Sequence, residues 1–102
     1  MFRSRLREEH VEEYGREAAE MADLARTMPG LVDFKTFTAD DGERVTVVTF
    51  ADEASQAAWR RHADHLVAQR HGRESYYAEY SLQVCETRRV SGFTASGRAA
   101  TT

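Results

Sequence analysis

The chain has little cysteine, no long apolar run and no excess of positive charge. Its single cysteine, Cys85, excludes an internal disulfide and fits a reducing, cytoplasmic environment. No apolar run approaches the ~20 residues of a membrane span. The opening stretch MFRSRLREEH has no apolar segment behind its arginines, so no signal peptide is expected. A net charge of −3 makes nucleic acid and anionic membranes poor partners.

The composition is that of one small domain. Hydrophobic residues make up 41% and charged residues 30% of the 102 positions, which is typical of a folded globular protein. A domain of this length buries roughly two thirds of its unfolded surface, so a ligand cavity is costly unless a second subunit helps to enclose it. We expect one domain over residues 1–93 and a flexible, small and polar C-terminal tail over residues 94–102.

Hydrophobic periodicity predicts four strands and two helices. Strict alternation in FRSRLR is typical of a strand, whereas the apolar residues that follow recur at the 3.6-residue spacing of an amphipathic helix. Pro29 ends that helix, and Asp41-Gly42 supplies a later hairpin turn. The predicted elements are a strand at 2–7, a helix at 8–28, strands at 31–38 and 44–50, a helix at 51–72 and a strand at 75–90.

The order β-α-β-β-α-β predicts a ferredoxin-like α+β fold, an antiparallel sheet with two helices on one face. The other face of the sheet would be bare, and a final strand of about fifteen residues is longer than the usual five or six. Both features predict a partner. A homodimer formed through the sheet face and the long C-terminal strand is the simplest solution.

The ends of the second helix and the faces of the last strand are also predicted by local signals. Either Asp52 or Ser55 is expected to cap the start of the helix, and Gly72 to end it. Alternation along the last strand places Tyr76 and Tyr80 on one face and Tyr77 on the other. Cys85, in the middle of that strand, is expected to be buried and inert.

Three of the four histidines and the only tryptophan lie in WRRHADHLVAQRHG, residues 59–72. On an unbroken helix, a face about 80° wide would carry Trp59, His62, Leu66 and Gln69, with His65 at its edge. His71 would point toward solvent near the helix C-terminus. Because zinc requires at least one more protein ligand than the two remaining histidines supply, no metal site is predicted.

Several stretches of the chain occur together in one known family. They are FRSRL, Tyr14 and Met21, MPGLVDFKTF, RVTVVTFADEAS, the run W-x-x-H-x-x-H-x3-Q-x-x-G and the closing YSLQV. With them the sequence resembles the antibiotic biosynthesis monooxygenase (ABM) domain, of the dimeric α+β barrel superfamily, over residues 2 to about 93. The resemblance implies a homodimer whose two sheets face each other, with a pocket between sheet and helices in each subunit.

The resemblance also implies oxidation of a small, hydrophobic, anthrone- or quinol-type aromatic by O2 without a cofactor. Imidazole titrates near pH ~6.5, so His65 or His62 is expected to act as acid and base, with Trp59 shaping the pocket. The residues expected to bind substrate are Tyr14, Phe34, Phe50, Leu66, Gln69 and Tyr76. Two alternatives remain open: a non-catalytic dimeric ligand-binding module, and a haem-binding or haem-degrading relative with a helix histidine on the iron.

Overall fold

The computed structural model describes residues 1–95 and residues 99 and 100; the remainder of the predicted tail lies outside the described residues. The elements are β1 (Phe2–Leu6), α1 (Val11–Thr27), β2 (Leu31–Thr38), β3 (Arg44–Phe50), α2 (Glu53–Arg61), α3 (Ala63–His71), β4 (Tyr77–Leu82), β5 (Gly92–Phe93) and β6 (Ala99–Ala100). A π-helical turn joins α3 to β4. β5 and β6 pair in a small separate sheet.

The first four strands form one antiparallel sheet in the order β2-β3-β1-β4. Ser4 of the central strand β1 lies between Arg44 of β3 and Tyr80 of β4. The hydroxyls of Thr36 and Thr46 are 2.8 Å apart across the β2–β3 pair, which fixes those two side chains on the same face. This strand order and the crossing helices confirm the predicted ferredoxin-like α+β fold.

The helices cover one face of this sheet. The guanidinium of Arg44 lies over the ring of Tyr14 in α1, with its Cζ 5.2 Å from the ring centroid. Because strand side chains alternate, the even-numbered residues of β3 face the helices and the odd-numbered ones face away. By the same register Phe2 and Ser4 of β1 also face the helices.

The uncovered face is charged along β1 and apolar along β3. Arg5 projects from it and pairs with Asp41 at 2.9 Å and with Glu79 at 3.2 Å. These ion pairs join β1 to the β2–β3 turn and to β4. Val45 and Val47 lie on the same face and are only partly buried. In one copy of the chain, the apolar side chains of β3 on this face therefore stay partly exposed to solvent, next to the paired charges around Arg5.

The second predicted helix is broken at His62 into α2 and α3, which corrects the expectation of one continuous helix. His62 has an extended backbone with φ −63° and ψ 132°. Its Nδ1 accepts a hydrogen bond from the backbone N–H of Asp64 at 3.2 Å, so that the side chain caps α3. At the start of α2, Asp52 accepts a hydrogen bond from the backbone N–H of Ser55 at 2.7 Å. Asp52 is therefore the N-cap.

The α-helical part of the segment ends at Gly72, the C-cap of α3, as predicted, but the backbone continues as a π-helical turn that was not predicted. Gly72 has right-handed helical angles, φ −58° and ψ −49°, and the π-helical turn Gly72–Tyr76 continues from it. A Cβ at position 72 would lie 2.5 Å from Cε2 of the Tyr77 ring. The glycine is thus required because an aromatic ring packs against its backbone.

The last strand of the main sheet is shorter than predicted and ends at Leu82. Beyond it, the N–H of Gln83 donates to the carbonyl of Met1 at 2.9 Å, and the terminal ammonium of Met1 donates to the carbonyl of Gln83 at 2.7 Å. Residues 84–91 form no strand with another described segment. Cys85 lies in this segment and is exposed, which corrects its expected burial.

Few side chains are buried in one copy of the chain. Among the described hydrophobic side chains, only Ala25, Trp59 and Tyr76 are buried, with 0%, 6% and 8% of their surface exposed. Large apolar side chains that stay exposed include Val32, Phe37, Leu82, Val84, Val90 and Phe93. Four of these side chains lie in the segment from Leu82 onward. A concentration of exposed apolar side chains on one segment or face is typical of an interaction surface.

Gly30 is a position where a side chain should be strongly destabilising. Its φ is +82°, and an added Cβ would lie 2.7 Å from the Cβ of Ser55. We expect Gly30→Ala to lower the free energy of unfolding by about 2–4 kcal/mol, through left-handed backbone strain and overpacking. Gly15, inside α1 with nothing within 4 Å of an added Cβ, is the control. Gly15→Ala should raise the free energy of unfolding by about 0.5–1 kcal/mol. Urea titration of both variants measures these changes, and equal effects of the two substitutions would contradict the expectation.

Candidate functional site

Trp59 and His65 stack on each other across the break between α2 and α3. Their ring centroids are 4.3 Å apart and their planes are inclined by 20°. On a continuous helix two residues six positions apart would point about 120° apart around the axis. The extended residue His62 removes that constraint, so His65 packs on the indole. His62 itself lies farther away, with its ring centroid 6.4 Å from that of Trp59.

The hydrogen bond of His65 determines where its proton lies. Nδ1 of His65 is 3.2 Å from the backbone carbonyl oxygen of Trp59. A carbonyl only accepts hydrogen bonds, so Nδ1 carries the proton and Nε2 of the neutral ring keeps a lone pair. Burial lowers the pKa of His65; the Trp59 carbonyl partly opposes this effect, and His62 adds to it. At neutral pH, His65 is therefore an uncharged imidazole with an available basic nitrogen.

His62 has the opposite arrangement. Its Nδ1 accepts a hydrogen bond from the backbone N–H of Asp64. In the neutral ring the proton must then lie on Nε2, which is left as a hydrogen-bond donor. The cluster thus offers one acceptor nitrogen, on His65, and one donor nitrogen, on His62. The sequence alone does not distinguish the two histidines. The difference arises from the backbone group that each ring contacts at the helix break, the Trp59 carbonyl for His65 and the Asp64 N–H for His62.

The other residues predicted to bind substrate are spread over several elements and differ in burial. Phe34 and Phe50 lie on the helix-facing side of the sheet by the β2–β3 register and are partly buried. Gln69 is partly buried on α3. Leu66 is 49% exposed, in contrast to Trp59. The helical wheel placed Leu66 beside Trp59 because it assumed an unbroken helix.

A hydrogen-bonded group that the sequence did not reveal joins α1 to the π-helical turn. Oε1 of Glu17 lies 2.9 Å from Nδ1 of His71, and Oε2 accepts a hydrogen bond from the hydroxyl of Tyr76 at 2.7 Å. The hydrogen bond to Glu17, followed by burial, raises the pKa of Tyr76 to about 12. His71 was predicted to be a solvent histidine; its side chain is 45% exposed but bound to Glu17. No local spacing indicates a contact between residues so distant in the chain.

Tyrosine rings continue from this group onto the sheet. The ring centroid of Tyr14 is 5.6 Å from that of Tyr76 and 5.7 Å from that of Tyr77. The rings of Tyr77 and Tyr80 are also 5.7 Å apart. The prediction that Tyr76 and Tyr80 share a strand face opposite Tyr77 is therefore wrong. Tyr76 belongs to the π-helical turn, and a bulge in the β1–β4 pairing shifts the alternation.

Two surface depressions lie away from the stack of Trp59 and His65. One, of about 410 Å³, is open to solvent near the start of α1, and a second, of about 240 Å³, lies beside β1 and β4. Neither is lined by a residue predicted to act on substrate. Among the described residues, no three His, Cys, Asp or Glu side chains are placed to hold a metal ion. No described helix combines the length and apolar character needed to cross a membrane.

Known proteins share the sequence pattern of this chain. The pattern that defines the antibiotic biosynthesis monooxygenase family matches residues 1–71. YqjZ, an uncharacterized protein of Bacillus subtilis (strain 168), is 29% identical over 86 residues. That alignment covers 84% of this chain and 75% of YqjZ. The family match includes Trp59, His62 and His65.

Solved structures share the fold. A protein from Nitrosomonas europaea, provisionally described as an antibiotic biosynthesis monooxygenase, superposes with a TM-score of 0.69 at 14% identity. The superposition covers 78% of this chain and 79% of that one. A conserved protein from Methanosarcina mazei Go1 also gives 0.69, at 13% identity over 78% of this chain and 81% of that one. At these identities the likeness concerns the fold alone.

Proposed function

We propose that this chain, which belongs to the antibiotic biosynthesis monooxygenase family, oxidises a small anthrone- or quinol-type aromatic with O2 and without a bound cofactor. The observation that carries the proposal is the stack of His65 on buried Trp59, at 4.3 Å between ring centroids. The stack holds a neutral imidazole, with a lowered pKa, against an aromatic surface. A base in an aromatic, partly dry environment is the main requirement of this chemistry.

The reaction can be written with the two histidines in different roles. Nε2 of His65 takes a proton from the activated methylene of an anthrone, and the resulting carbanion bonds to O2. Nε2–H of His62 donates to the distal oxygen of that peroxide. Loss of the second C–H proton then breaks the O–O bond and gives a ketone and water. One methylene and one O2 are thus converted to one ketone and one water, with both electron pairs supplied by the substrate.

The proposed assembly is a homodimer. Support comes from the uncovered sheet face, where Val45 and Val47 are only partly buried and Phe37 is 50% exposed. The C-terminal segment adds Val84 and Val90, which are 60% and 57% exposed. A second copy would cover this apolar surface on both chains at once, because a twofold interface is self-complementary. It would also help to enclose a pocket that one short chain closes poorly.

Oxygen consumption tests the proposed reaction. Purified protein is incubated with anthrone in metal-free buffer at pH 7.5 under an oxygen electrode, with heat-denatured protein as the autoxidation control. We expect one O2 consumed per anthrone, one labelled oxygen in the ketone when ¹⁸O2 is supplied, and no oxygen returned on addition of catalase. Anthrone that binds but is consumed at the control rate would instead identify the chain as a binding module.

A further inference from the structure

We infer that Arg44 and the hydroxyl of Tyr14 form a binding site for an anionic oxygen on a planar aromatic ligand, such as an aromatic carboxylate. The site lies at the start of β3, on the face of the sheet that the helices cover. It rests on the proposed function only for the aromatic character of the ligand. The charge of the ligand follows from the surroundings of Arg44.

The positive charge of Arg44 is not neutralised within the described chain. Among the described arginines, only Arg5 and Arg44 are partly buried, and Arg5 is paired with both Asp41 and Glu79. Arg44 instead stacks on Tyr14, with 5.2 Å from its Cζ to the ring centroid. Burying a charge is costly unless it is paired. A cation–π contact offsets part of that cost, but it leaves the guanidinium N–H groups at the edge without an acceptor.

The carboxylates nearest to Arg44 in the chain and around the tyrosine cluster are already engaged. Glu43, the preceding residue, pairs with Arg3 at 2.7 Å. Glu17 is held by His71 and by the hydroxyl of Tyr76. Neither acidic group is therefore available to Arg44 without breaking another interaction, so an acceptor from outside the chain is the natural partner.

Tyr14 supplies a second donor beside the guanidinium. Its ring lies 5.2 Å from Cζ of Arg44, and 5.7 Å from the ring of Tyr77 between centroids. Burial, followed by the neighbouring Tyr14 hydroxyl, raises the pKa of Tyr77, so Tyr77 stays a neutral phenol. The phenol of Tyr14 carries an O–H that can donate a hydrogen bond. A guanidinium and a hydroxyl side by side suit a carboxylate or phenolate oxygen.

Flat side chains surround these donors. The ring of Phe2 lies 5.2 Å from that of Tyr77 and 5.3 Å from that of Tyr80, between centroids, on the same side of the sheet. Tyr80 remains 42% exposed, so its ring is available for contact. Aromatic rings favour offset or edge-on packing with another ring. Hydrogen-bond donors beside exposed aromatic rings favour a planar organic anion over a small inorganic one.

Calorimetric titration with 2-naphthoate and with neutral 2-naphthamide, under nitrogen, tests the inference. The two probes share their ring system and differ in charge. We expect naphthoate to bind at least about 10-fold more tightly, as one charge-assisted contact supplies. Arg44→Gln should reduce the ratio of the naphthoate affinity to the naphthamide affinity to about 1, and Tyr14→Phe should reduce this ratio by about threefold. Arg44→Lys should keep part of the preference, since the charge remains without the planar fork.

Arg60→Gln is the matched control, because it removes the same charge from an exposed position on α2. Arg60→Gln should keep the full preference for naphthoate over naphthamide. Circular dichroism should show that every variant is folded. Equal affinity for the two probes in the unaltered protein would overturn the inference, as would a preference that survives in Arg44→Gln. Since no O2 is present, this result is independent of whether the chain is an oxygenase.

Discussion

His65→Asn is expected to lower the rate of anthrone oxidation by at least about 100-fold, the usual contribution of a general base. Asparagine is the conservative choice, because its amide N–H can replace Nδ1–H in the hydrogen bond to the Trp59 carbonyl, 3.2 Å away in the native site. It has no equivalent of the basic Nε2. The loss should therefore appear in kcat, whereas KM should change little, since the variant retains Trp59, the residue proposed to shape the pocket.

The matched control is His10→Asn. His10 is exposed and has a positive φ of 62°, a conformation that asparagine tolerates better than most residues. The same substitution there should leave the rate unchanged. If both variants oxidise anthrone at the native rate, His65 is not the base.

The pH dependence provides a second readout of the same group. The pKa of His65 is lowered, chiefly by burial. The basic form should therefore already predominate below the ordinary histidine value of ~6.5. We expect kcat/KM to rise with pH through a midpoint below that value and to be flat from there to neutrality. His65→Asn should lack this rise.

Val47→Glu is expected to weaken self-association by at least about 100-fold. Val47 lies on the uncovered face of the sheet, directly opposite Lys35 of β2. Even beside that lysine, a carboxylate costs far more to desolvate than a valine when two sheets meet. Sedimentation velocity across a dilution series would show a dimer for the native chain and a monomer for the variant. Because the fold of one copy does not bury Val47 fully, the far-ultraviolet spectrum should be unchanged.

Val11→Glu is the control for this variant. Val11 is 53% exposed at the start of α1, away from the sheet face. It should leave the dimer intact. A native chain that sediments as a monomer at every concentration would contradict the proposed assembly, and a dimer that tolerates Val47→Glu would place the interface elsewhere.

The fold could be predicted because periodicity and turn chemistry agree along most of the chain. The alternating stretch 31–38 became β2 with the predicted bounds, and Asp52 capped α2 as its side chain allows. The break at His62 could not be predicted from periodicity. It depends on a hydrogen bond from the backbone N–H of Asp64 to the His62 imidazole, which competes with the continuous helical hydrogen bonding. One helix therefore ends at His62 and the next one starts there.

The candidate site was predicted less completely, for a physical reason. The residue types of the site were visible in the sequence, and Trp59 and His65 do meet. Which nitrogen carries each proton depends on backbone partners that only the folded chain brings together. The contact of Glu17 with His71 and Tyr76 joins residues 54 and 59 positions apart, so no periodic pattern records it.

A pH titration of the ¹⁵N-labelled imidazoles by long-range ¹H–¹⁵N NMR is the most direct test of His65 as the base. The spectrum reports, for each histidine, which ring nitrogen bears the proton and the pH at which the ring becomes charged. We predict that His65 is protonated on Nδ1, as its contact with the Trp59 carbonyl requires, and that it titrates below the ordinary ~6.5 of histidine. A proton on Nε2 of His65, or a midpoint at or above that value, would contradict this prediction.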